Sequence, residues 1–63
     1  MERAYEIRMI MDALKEYLLQ HQDLSIGQAI SNISQQETKN FDPGFLDDKT
    51  LYKFLIENIN NED

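Results

Sequence analysis

The chain has no cysteine and no tryptophan, one proline and two glycines among 63 residues, and half as many basic side chains as acidic ones. Without cysteine there is no disulfide and no thiolate metal site, and a reducing compartment suits the chain. The near absence of proline and glycine leaves few helix breakers, so long helical segments can run uninterrupted. No apolar run approaches the ~20 residues of a membrane-spanning helix. The first residues, Met1-Glu2-Arg3-Ala4-Tyr5-Glu6, are charged and already helix-like, which does not read as a signal peptide. The expectation is a cytoplasmic protein with no membrane association. Six basic against twelve acidic residues give a formal charge of −6. Such a charge favours solubility, repels nucleic-acid phosphates and is suited to meeting a basic partner.

A chain this short buries only about 60% of the surface its unfolded form exposes, so its core has little to spare. What is present is helical periodicity. From Glu2 to Gln20, Ile7, Ile10, Met11, Leu14, Tyr17 and Leu18 recur at i, i+3 and i+4 and predict one amphipathic helix. A thinner apolar line, Tyr5, Met9 and Ala13, lies on another side of it. His21 falls at the helix end, where a cation would complement the macrodipole. A second helix is predicted from Ile26 to Gln35. Ser25 is its N-cap, Gln28 stands three residues later as in a capping box, and Ile26, Ala29, Ile30 and Ile33 form its apolar face. Gly27 within the first turn predicts the close approach of another backbone.

The stretch from Gln36 to Asn40 has no periodicity and reads as surface loop, with Phe41 expected to pin it to the core. Asp42-Pro43-Gly44 predicts a turn in which glycine accepts a positive φ. A third helix is predicted from Asp48 to Asn58, with Asp47 as N-cap and Leu46 and Leu51 as a hydrophobic staple. Its apolar residues, Leu51, Tyr52, Phe54, Leu55, Ile56 and Ile59, cover an arc of about 200° at 100° per residue. Asn60-Asn61-Glu62-Asp63 reads as a polar tail.

The expected fold is therefore all-α: one compact three-helix domain over residues 1–63, with a short corner between helices 1 and 2 and a longer loop before helix 3. The predicted core is Ile7, Ile10, Leu14, Tyr17, Leu18, Leu24, Ile26, Ile30, Ile33, Phe45, Leu51, Phe54 and Leu55. The apolar arcs of the first and third helices exceed what three helices cover by themselves. A homo-dimer is expected to hide the excess, with Tyr5, Met9, Tyr52, Ile56 and Ile59 at its interface.

Enzyme chemistry finds little purchase. With one histidine and no cysteine, the available nucleophile–base set is His21 with Asp23 and Ser25. These residues lie close in sequence around one corner and are better explained as a turn and a cap. Asn40-x-Asp42-x-Gly44 begins like a calcium loop, but the rest of the ligand ladder is missing. No catalytic residue, cofactor or metal ligand is assigned. Helices 1 and 2 with their short turn also fit a helix-turn-helix DNA-binding regulator, with Gln28, Ser31, Asn32 and Gln35 facing the bases. Against that reading, no Arg or Lys occurs from Glu16 to Thr38. A non-enzymatic protein-interaction module ranks first and the regulator second.

Two stretches carry a resemblance. Asp23-Leu24-Ser25-Ile26-Gly27-Gln28-Ala29-Ile30-Ser31-Asn32 is similar to the pattern Asp-Leu-Arg-x-Gly-Gln-Leu-Leu-x-Asn. Asp42-Pro43-Gly44-Phe45-Leu46-Asp47-Asp48-Lys49-Thr50-Leu51 is similar to the Asp-x-Phe-Tyr-x-Glu-Asp-x-x-Leu that follows it. Together they resemble a group of small, uncharacterised helical proteins of Gram-positive bacteria and their phages. Ser25 stands where that pattern has Arg, and its Tyr is replaced by Leu46 or displaced. The resemblance implies a compact helical domain and a phage or prophage accessory protein that binds a host protein. It supplies no activity or site residue.

Overall fold

The computed structural model describes residues 2–60 and contains three α-helices: α1 (Glu2–Gln20), α2 (Ile26–Thr38) and α3 (Asp48–Asn60), with a 3-10 turn at Pro43–Phe45. Helix α3 runs two residues past the expected Asn58 and takes in Asn60 of the expected tail; residues 61–63 lie outside the described residues. The all-α, three-helix fold read from the sequence is the observed one.

Each helix starts and stops for a local reason. Nothing interrupts α1 until Gln20. There the His21 amide turns back to the Leu18 carbonyl at 3.1 Å, and the Gln22 side chain donates to the Leu19 carbonyl, so the last carbonyls keep partners. Ser25 Oγ accepts the Gln28 amide at 3.0 Å and caps α2. The far end of α2 runs one turn past the expected Gln35. It closes at Lys39, which takes left-handed backbone angles (φ 64°) and donates its amide to the Gln35 carbonyl at 2.9 Å. Asp47 caps α3 by accepting the Thr50 amide at 2.8 Å. That hydrogen bond, with a further contribution from the Thr50 side chain and the charge of Lys49, holds the Asp47 carboxyl below the usual aspartate range.

Helix α3 is the centre of the packing. It lies along α1 on one side and against α2 on the other, and α2 also rests on the 3-10 turn. Arg3 pairs with Asp48 at the start of α3, and the Tyr17 ring meets Phe54 edge-on at 5.7 Å further along, so the two helices run in the same sense. The core is Ile10, Ala13, Leu14 and Tyr17 of α1, Ala29 and Ile33 of α2, and Phe54 and Leu55 of α3. Leu18, Leu24, Ile30 and Leu51 pack partly buried against it. The wide apolar arc of α3 is therefore used within the chain, because two helices share it.

Three residues expected in the core are exposed: Ile7, Ile26 and Phe45. Ile7 is exposed because the buried face of α1 is rotated by about 50° from the expected stripe, at 100° per residue. Its small Ala13, read from sequence as part of the outer line, sits in the packed face and lets α3 approach. Ile26 is the first residue of α2 and projects before the helix reaches its neighbours. Phe41, expected to pin the loop, is also exposed. The turn at Gly44 needs no positive φ, since no glycine has one. Instead, a Cβ there would stand 3.3 Å from Asp42 Oδ1, which already accepts the Gly44 amide.

Gly27 also departs from expectation. A Cβ built there meets nothing within 4 Å, so no backbone approaches it. Its conformation is ordinary helix, and it lies exposed in the first turn of α2. Gly27→Ala is expected to raise the unfolding free energy by roughly 0.5–1 kcal/mol, the helix-propensity difference between the two residues. Thermal melts followed by circular dichroism check this; a lower midpoint in the variant would restore the close-approach reading.

Candidate interaction surface

Two exposed features stand out. The first is a groove between α1 and α3, lined by Glu6, Met9, Ile10, Asp48, Lys49 and Tyr52, with a volume of ≈ 320 Å³. Its floor is apolar because Met9 and Ile10 fall on the edge of α1 that turns towards α3. Residues 48, 52, 56 and 59 share one face of α3 at helical spacing. Its rim is ionic. The Arg3 guanidinium donates to the Asp48 carboxylate and stands 3.7 Å from Glu6, an i, i+3 pair along α1. The hydrogen bond to Asp48, then its charge, stabilise the guanidinium's protonated form. All three side chains remain largely in water, so this pair orients the rim more than it stabilises the fold.

The structure brings four of the five expected interface residues to this region. Met9 and Tyr52 line the groove, and Tyr52, Ile56 and Ile59 continue along α3 half-buried. Tyr5 stands one turn before Met9, outside the groove and 61% exposed. Ile7, Met11 and Leu19 add exposed apolar surface elsewhere on α1.

The second feature was not legible as a surface in the sequence. Phe41 and Phe45 are 61% and 64% exposed; Phe45 ends the 3-10 turn and Phe41 lies two residues before its start. The loop that carries them is braced from beneath. Ser34, fully buried on α2, directs its hydroxyl at the carbonyls of Asn40 (2.6 Å) and Asp42 (3.0 Å), sharing one proton between them. Thr38 Oγ1 donates to the Ser34 carbonyl at 2.8 Å. Asn40 Oδ1 accepts the Asp42 amide at 2.8 Å, and Asp42 Oδ1 accepts the Gly44 amide at 2.9 Å. A connection with this many internal bonds keeps one shape while presenting two aromatic rings to water. The stretch from Glu37 to Asp47 that carries the rings has three exposed carboxylates, Glu37, Asp42 and Asp47, and one exposed cation, Lys39, so the loop is acidic.

Two of the three residues weighed for catalysis, Ser25 and His21, have structural contacts. Ser25 Oγ caps α2, and the His21 ring lies on Tyr17 with centroids 4.3 Å apart. Burial pushes the Tyr17 phenol up from its ordinary range. Among the described residues, no group of three or more His, Asp or Glu side chains is placed to hold a metal ion. No described helix is long and apolar enough to cross a membrane. Of the four positions expected to face DNA on α2, Gln28 and Asn32 are exposed, while Ser31 and Gln35 are half-buried. No family model, curated protein or solved structure matches the chain.

Proposed function

We propose that the chain is a non-enzymatic protein-interaction module, of the kind a phage or prophage supplies to bind and modulate a host protein. The observation that carries this reading is the braced loop with Phe41 and Phe45 exposed. Aromatic side chains supply much of the energy of protein interfaces, and a loop already held in its bound shape loses little entropy on docking. The acidic loop that carries the rings suits a partner with an apolar pocket rimmed by Lys or Arg, to which the net charge of −6 would steer the chain.

The test is a pull-down from host lysate with the intact chain and with the double variant Phe41→Ser/Phe45→Ser, followed by mass spectrometry. A host protein retained by the first and lost from the second, with unchanged circular dichroism, is the expected result. Identical captures by both would overturn the assignment to this loop.

A small helix-turn-helix-like regulator of DNA is the alternative, favoured by the exposure of Gln28 and Asn32 on α2. It lacks phosphate-contacting cations between Lys15 and Lys39. Duplex-DNA binding that falls steeply with added salt would support it over the protein-binding reading.

A further inference from the structure

We infer that the α1/α3 groove is the seat of a second copy of this chain, and that the side chain entering it is the other copy's Tyr5. The inference rests on the reading as an interaction module and adds to it a self-association face distinct from the Phe41/Phe45 loop.

Three observations select a second copy over a foreign partner. The first is charge. The chain as a whole carries −6, so two copies repel over most of their surface. At the groove, however, Arg3 and Lys49 stand with Glu6 and Asp48, two cations against two carboxylates. This rim carries no net charge, so it can approach its own image across a two-fold axis without the repulsion met elsewhere on the surface. A strongly basic partner would gain little from it, and the acidic loop would attract that partner more strongly.

The second is the supply of a plug. Tyr5 is 61% exposed and stands one helical turn from Met9 on the groove's edge. In an isologous contact the same patch faces itself, so a residue beside the groove is carried over the opposing groove. Two antiparallel copies of α1 crossing between Tyr5 and Met9 place each Tyr5 ring over the other copy's Met9 and Tyr52. An aromatic ring suits a groove of ≈ 320 Å³ with an apolar floor, and its hydroxyl can reach the polar rim.

The third is extent. A stable interface needs about 800 Å² from each partner. The chain exposes 4686 Å² in all, so a dimer would take about one-sixth of it. Tyr5, Met9 and the Tyr52–Ile56–Ile59 stripe lie on one side of the α1/α3 pair and provide apolar contact area for it.

The experiment uses the full chain with Tyr5→p-benzoylphenylalanine, an equal mixture of isotope-labelled and unlabelled copies, and irradiation at tens of micromolar. Light scattering of the unsubstituted chain at the same concentration is expected to give a dimer. Mixed-isotope cross-links are expected to join position 5 of one copy to Met9, or to residues 48–52, of the other. Tyr5→Ala is expected to weaken dimerisation about tenfold or more, and Tyr5→Phe much less, with helicity unchanged in both. A clean monomer, mixed-isotope cross-links confined to other regions, or a Tyr5→Ala variant that dimerises as before would each overturn the inference. A monomer that still captures a host protein through Phe41 and Phe45 would leave the proposed function standing. A Tyr5-dependent dimer whose captured proteins ignore those rings would do the reverse.

Discussion

Leu55→Ala is expected to lower the unfolding free energy by about 2–5 kcal/mol, the range for deleting most of a buried leucine and leaving its cavity. Leu55 is 0% exposed and sits on the helix that both others pack against. Its loss is therefore felt on both sides of α3, and little neighbouring mass is free to collapse into the space. The whole domain has little to lose: at the usual 0.05–0.15 kcal/mol per residue, 63 residues amount to roughly 3–9 kcal/mol. The variant is thus expected to sit close to its unfolding midpoint at 25 °C. Urea titration followed by circular dichroism measures the effect, with Met11→Ala on the exposed side of α1 as the control. The control is expected to change stability by less than about 1 kcal/mol. Equal losses in the two variants would mean that α3 is not the element that ties the others together.

That central role is only half visible in the sequence. The wide apolar arc of α3 announces burial on more than one side, but does not say whether a neighbouring helix or another molecule covers it. Its own α1 and α2 cover most of it. On α1 the apolar residues form two lines, and hydropathy alone favours the denser one through Ile7 and Met11. The packed face is decided by features hydropathy does not weigh: the small Ala13, which permits approach, and the Tyr17–Phe54 edge contact. Helix starts were legible because Ser25 and Asp47 are specific hydrogen-bonding devices. The end of α2 was not legible, because the turn that extends it is held by Ser34 and Thr38, polar residues whose sequence signal is that of a loop. Met9 and Tyr52, expected from the sequence at a dimer interface, line the groove, which the sequence did not announce. The loop aromatics could not be read as a surface, since a phenylalanine in a polar stretch ordinarily reads as an anchor to the core.

Ser34→Ala tests whether that polar turn is a framework or an incidental network. Ser34 is the one fully buried polar side chain among the described residues, and its hydroxyl serves the carbonyls of Asn40 and Asp42 at once. Removing it leaves two carbonyl oxygens without that donor and a small void beneath the loop. The expected cost is about 1–3 kcal/mol, the penalty for unmaking a buried hydrogen bond while keeping its partner. Thr38→Val removes the neighbouring hydroxyl, whose main acceptor is a carbonyl within α2, and is expected to cost less. The discriminating readout is local. Amide exchange at Asp42, Gly44 and Phe45 should quicken in Ser34→Ala, while that of the α1 core turn around Leu14 follows only the global loss. If the loop's shape is what makes Phe41 and Phe45 a binding edge, the same variant weakens capture of the host protein although both rings remain in place. Unchanged exchange in the loop with unchanged stability would show that water replaces the hydroxyl, and that the rings are held by the chain's local turn geometry rather than by α2.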